Sequence, residues 1–205
     1  VMNSVLLASI VGLSLIALFM IIRYKKPGFL ASVALGFYVW LLLFVFYGID
    51  ATLSLAGIAG FLLTIGMAVD ANVLIFERIQ EELAGTKNIR KAIEAGFGNA
   101  MSSIIDANIT TILAALVLYF VGTGSVKGFA LTLMIGIVIS LFSALVITKQ
   151  LMWLGVRMGF LKTAKDFGVS ALGTKKTNIN FLKGANILKF ISAGVLALGI
   201  FFVVT

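Results

Sequence analysis

Two aspartates stand inside apolar stretches of this chain, and each opens the same tripeptide: Asp70-Ala71-Asn72 and Asp106-Ala107-Asn108. The first belongs to GMAVDANVLIFERI, Gly66 to Ile79, where the next basic residue is Arg78. A carboxylate at the centre of a bilayer costs about 2.5–3.5 kcal/mol on insertion scales, so an acid in such a place is by default a functional-site hypothesis. Low dielectric favours the neutral form of an acid, which can take up and release a proton as its hydration changes. The chemistry on offer is a proton relay through Asp70 and Asp106. The plain alternative is a protonated aspartate hydrogen-bonded between helices.

The neighbours of these acids follow from helical spacing. Ser102, Ser103 and Thr110 lie at i−4, i−3 and i+4 of Asp106 and make one polar stripe that water could wet. Asn72 and Asn108 sit about 200° around the helix from their aspartates, and so face elsewhere. Interhelical hydrogen bonding and a supporting role in the relay are both open to them. Ala56, Gly60, Thr64 and Ala68 recur every four residues, as small residues do where helices approach closely. Asp70 shares a different face with Ala59, Gly66 and Glu77. At about 1.5 Å rise per residue, both acids fall about 8–10 Å inside the same end of their spans. Antiparallel neighbours would bring them to similar height.

Composition sets the medium. The chain is 61% hydrophobic and 12% charged, with a mean hydropathy of +1.15; soluble domains carry about 25% charged residues. The fold class expected is an all-α membrane protein, a polytopic bundle of about six transmembrane helices. Cysteine and histidine are both absent. That removes disulfides, thiolate metal sites and the usual general base. No catalytic residue, metal site or cofactor is expected, and the chain does not read as an enzyme. The net charge of +8 points to membrane topology and anionic lipids, not to nucleic acid.

A span needs about 20 mostly apolar residues. Five are expected within residues 1–154, at about 3–22, 28–48, 53–76, 101–121 and 128–148. A basic linker over 155–186 and a sixth, truncated span over 187–205 follow. The chain starts and stops in apolar sequence, so both ends read as cuts in a longer protein. Fifteen of the 16 basic residues fall in or beside loops 23–27, 77–100 and 149–186, and only Lys127 lies on the other side. Basic loops stay cytoplasmic, which places the N-terminus outside. The lysines of the linker read as positive-inside bias and lipid contact.

Within 77–100, Arg78 and Glu82 are spaced as helix neighbours, and Gly85 offers a helix stop. From Thr86, a short helix with Ile89, Ile93 and Phe97 on one face would lie on the membrane surface. The alternative there is a plain re-entry loop.

The stretches GMAVDANVLIFERIQEEL and IDANITT resemble the SecD part of the SecD/SecF (SecDF) protein-export family, in the resistance-nodulation-division superfamily. NINFLKGANILKFISAGVLALGI resembles the entry into the first SecF helix. The resemblance covers nearly the whole chain and implies the last five SecD helices, a linker and the first SecF helix. It implies a multi-pass protein of a prokaryotic cell membrane, coupling proton flow to late steps of protein export beside the SecYEG translocon. Asp70 would be a proton-pathway carboxylate and Asp106 its companion. The remaining SecF half and the translocating preprotein would be partners. The family's large extracytoplasmic domains and its intramembrane arginine have no counterpart in this sequence.

Three other readings compete. Another superfamily transporter, exporting lipids or drugs, would need a long substrate-binding insert. A translocon scaffold would need no titrating acid. An intramembrane aspartyl protease also uses two acids on neighbouring spans, but its Gly-x-Gly-Asp context is missing. Met67-Ala68-Val69 precede Asp70, and Ser103-Ile104-Ile105 precede Asp106.

Overall fold

A computed structural model of the chain describes residues 2–49, 55–86 and 88–169. The expected sixth span, the linker beyond Val169, residues 50–54 and Lys87 lie outside the described residues. The elements are α1 (Met2–Tyr24), α2 (Lys26–Gly48), α3 (Leu55–Gly85), α4 (Ile89–Val121), α5 (Ser125–Phe142) and α6 (Thr148–Arg157). One π-helical turn, Ser143–Ile147, joins α5 to α6 without a break, and a 3-10 turn follows at Ala164–Phe167. No strand occurs among the described residues.

Among the described residues, four helical stretches are long and apolar enough to cross a membrane: Lys26–Gly48, Ala56–Gly85, Ile89–Val121 and the joined Ser125–Arg157. α1 contributes a shorter apolar stretch, Ile10–Tyr24. The protein is an all-α, multi-pass membrane protein.

Its helices are joined by tight reversals. Lys25 alone separates α1 from α2, with a φ of 57° that a side chain rarely adopts. Pro27 occupies the first turn of α2, where its missing N–H costs nothing. Gly28 lies against the backbone of Met20, and a Cβ there would collide with the Met20 carbonyl. Asn88 caps α4, its side chain accepting from the Lys91 N–H at 3.2 Å.

α3 and α5 run parallel and touch through small residues. A Cβ on Gly60 would stand 3.3 Å from Thr132 Cβ, and one on Gly136 2.5 Å from Thr64 Cγ2. The row of Gly60, Thr64 and Ala68 is therefore a packing seam, and Thr64 and Ala68 are buried. The π turn sits just beyond this seam. There the Ser143 hydroxyl donates to the Ala34 carbonyl of α2 at 3.0 Å, and the Thr148 hydroxyl donates to the Ser143 carbonyl at 3.2 Å. An extra residue in a helical turn offsets the helix face that follows.

The segment after the third span differs from its expectation. α3 continues to Gly85, and α4 starts three residues before Ala92 as one uninterrupted helix. Ile93 and Phe97 do not face lipid. They are buried in the core with Ile75, Ile79 and Leu83 of α3. Burying those side chains against a neighbouring helix satisfies the same apolar face that a membrane surface would have taken. Gly96 makes the contact close: its Cβ would lie 2.8 Å from the Ile79 backbone nitrogen.

Candidate functional site

Asp70 projects from the middle of α3 into a groove between α3 and α4. Met67, Ala71 and Leu74 line one wall, and Ser103, Ile104, Ala107, Asn108 and Thr111 the other. The groove encloses about 250 Å³, and a water needs only about 10–15 Å³ measured this way. Asp70 is exposed at its edge. No ion pair reaches it among the described residues. An unpaired acid beside hydroxyl and amide groups, in a space that water fits, can exchange a proton with that water.

The structure brings Asp70 together with Ser103 and Asn108 of the expected set. Asp106 is also exposed but does not line the groove, and neither do Ser102 and Thr110. The Thr110 hydroxyl donates back to the Asp106 carbonyl at 2.8 Å. The two acids therefore do not share one cavity. Thr111 is the groove residue that the stripe around Asp106 omits. Its spacing of four from Ala107, and of eight from Ser103, is the signal that finds it.

Both asparagines are buried, and both turn back on their own helices instead of bridging between them. Asn72 Nδ2 donates to the Ala68 carbonyl at 3.2 Å, and Asn108 Nδ2 to the Ile104 carbonyl at 2.7 Å. Asn72 Oδ1 is buried without a hydrogen-bond partner among the described residues. Asn108 faces away from Asp106, as its 200° offset requires, and that offset is what directs it toward Asp70 across the helix pair.

Below the groove, the α1–α2 end is tied by polar contacts. Arg23 pairs with Glu77 at 2.7 Å, and the Tyr24 hydroxyl donates to the same carboxylate at 2.8 Å. Both members of the ion pair are half-exposed, so it is worth about 0–1 kcal/mol. Lys26 pairs with Asp166 at 2.7 Å, and Gln80 Nε2 donates to the Phe167 carbonyl at 2.7 Å. The Asp166 carboxylate also accepts from the N–H groups of Lys162 and Thr163. Desolvation works against its charge, but Lys26 and the two N–H donors outweigh this and hold the carboxyl well below the usual carboxylate range. The expected Arg78–Glu82 pair does not form. Arg78 pairs with Glu81 at 2.8 Å, and Glu82 accepts from Asn99 of α4 at 2.9 Å. Among the described residues, no cluster of His, Cys, Asp or Glu is grouped to hold a metal.

Comparison with known proteins decides the family. Residues 1–157 match the family model for the C-terminal part of the protein export membrane proteins SecD/SecF. The chain belongs to the SecD/SecF family. It is 47% identical over 165 residues to the protein translocase subunit SecD of Acidaminococcus fermentans, covering 80% of this chain and 40% of that protein. It is 56% identical over 138 residues to SecD of Rhodothermus marinus, covering 67% of this chain and 22% of that one. The crystal structure of SecDF from Thermus thermophilus, a translocon-associated membrane protein, superposes with a TM-score of 0.83 at 37% identity. That match covers 96% of this chain and 27% of SecDF. This SecD/SecF chain thus spans well under half the length of the relatives it matches. Asp70 and its groove fall within the matched residues.

Proposed function

We propose that the chain is the membrane part of a SecD-type subunit that couples proton flow to late steps of protein export, with Asp70 as the proton-carrying acid. The observation that carries this reading is Asp70 itself: an acid in a membrane-length helix, without an ion pair among the described residues, opening on a groove walled by Ser103, Asn108 and Thr111. Asp106 is a secondary member, on a separate face of α4. Asn72, Ser102 and Thr110 support the helices and their hydration.

A membrane potential does about 2.3 kcal/mol of work on a unit charge per 100 mV. One pKa unit is about 1.4 kcal/mol. A cycle of protonation and release at an acid on the edge of this groove is therefore within reach of the driving force. The counter-charge for ionised Asp70 comes from the SecF half, since no described span of this chain carries an unpaired interior cation.

The basic residues set the orientation. With their loops cytoplasmic, the N-terminus is outside and the protein lies in a prokaryotic cell membrane, beside SecYEG and in contact with anionic lipid. Residues 1–154 form the SecD-like bundle, 155–186 the linker and 187–205 the first SecF-like span. The emerging preprotein is handled by domains outside this sequence. Cysteine scanning with an impermeant reagent tests the orientation, because the chain has no native cysteine. Labelling from outside at residue 91 or 162 would refute it. Proton uptake into vesicles holding the complete protein tests the relay: Asp70→Asn is expected to remove it.

A further inference from the structure

We infer a binding site for one anionic phospholipid in the groove between α2 and the continuous α5–α6 helix. The π turn at Ser143–Ile147 offsets α6 from the line of α5, and a hollow of about 720 Å³ opens beside it. Phe37, Val146, Gln150, Trp153, Leu154 and Arg157 line it. At Phe37 it meets a second hollow of about 380 Å³, which runs on along α2 past Val33 and Gly36 to Trp40.

The groove has the polarity of a lipid. Its upper walls are apolar and open: Phe37 is 50% exposed, Val146 43% and Trp40 61%. Its mouth holds Gln150, the amphipathic ring of Trp153 and the exposed guanidinium of Arg157. Arg157 has no ion pair among the described residues. A guanidinium is matched to phosphate oxygens in charge and in geometry.

The groove also has the length of a lipid tail. From Arg157 to Val146 the helix climbs about 16 Å, close to half of a hydrocarbon core about 30 Å thick. One leaflet's acyl chain therefore fits beside it with the headgroup at Arg157. The mouth opens at the same end as the basic α1–α2 turn, since Lys26 Nζ donates to the Phe160 carbonyl at 2.8 Å. Anionic headgroups concentrate around such a cluster.

The two tryptophans of the chain both line this groove, so fluorescence reads it directly. The protein is reconstituted in phosphatidylcholine vesicles doped with either phosphatidylglycerol or phosphatidylcholine carrying brominated acyl chains. Brominated phosphatidylglycerol is expected to quench at about fivefold lower mole fraction, the enrichment that about 1 kcal/mol from one surface arginine supplies. Arg157→Gln is expected to erase that preference and leave quenching by brominated phosphatidylcholine unchanged, while Arg157→Lys keeps most of it. Equal quenching by both lipids would reduce the groove to ordinary lipid contact and overturn the site. Quenching by neither would mean that protein covers the groove and would overturn it too.

Discussion

A Cβ placed on Gly136 of α5 would stand 2.5 Å from Cγ2 and 2.7 Å from Cβ of Thr64 on α3. Two helices at this distance pack backbone against side-chain stub, and neither can gain an atom without moving. α3 carries Asp70 six residues further along, about 1.7 turns, so the seam fixes the height of the acid as well as the pairing of the helices.

Gly136→Ala is therefore expected to destabilise the bundle by about 1–3 kcal/mol, the usual cost of overpacking. Thr64→Ala should recover part of that loss in the double variant, because one of the two clashing atoms is gone. Thermal unfolding in detergent of the four members of the cycle measures the coupling. Additive effects would mean that the two helices do not meet at these residues.

The 3-10 turn depends on one carboxylate. Asp166 is held below the usual carboxylate range by Lys26 and by the N–H groups of Lys162 and Thr163. A group whose folded pKa is depressed contributes stability that is present above its unfolded value, about 3.9, and is lost as pH falls further. The turn should stay docked from neutral pH down to about 4 and loosen below it. Hydrogen exchange at Asp166 and Gly168, whose N–H groups bond within the turn, follows this. Asp166→Asn should show the fast exchange at neutral pH and lose the acid dependence.

The helices and the acids are legible in the sequence, and their lateral arrangement is less so. Hydrophobic runs and one-sided basic residues mark the membrane helices, and Gly85 ends α3 where a glycine stop suggests. The exit of α3 and the entry of α4 could not be read correctly from periodicity alone. An apolar face of Ile89, Ile93 and Phe97 has the same pattern whether it meets lipid or a neighbouring helix. Only packing against Ile79 distinguishes them, and Gly96 is its one local trace. The groove shows the same limit. Helical spacing states that Asn108 faces away from Asp106, but not that this direction leads to Asp70. That depends on the rotation of α4 against α3, which the buried row of Ile93, Phe97, Ala100 and Ile104 sets.

Separate faces for the two acids give a ranking. Ser103→Ala combined with Thr111→Val removes two hydroxyls from the α4 wall of the groove that Asp70 lines, the Thr111 one donating to the Ala107 carbonyl at 3.0 Å. Asp106→Asn touches no groove wall. In the complete protein, the hydroxyl double variant is expected to lower proton-driven export more than Asp106→Asn does, and Thr111→Ser in place of Thr111→Val should restore part of it. Proton uptake into vesicles at matched protein abundance gives the order. The reverse order would put Asp106 on the main path.

The central claim is that Asp70 works by titrating. Asp70→Asn keeps the shape of the side chain and its capacity for hydrogen bonds, but cannot bind and release a proton. The direct measurement is preprotein export by membrane vesicles containing the complete protein, with and without a proton gradient, at wild-type abundance. The variant is expected to insert normally, to match wild type without the gradient, and to lose the gradient-stimulated increment. Normal stimulation of Asp70→Asn at normal abundance would contradict the account and leave Asp70 as a structural acid hydrogen-bonded between helices.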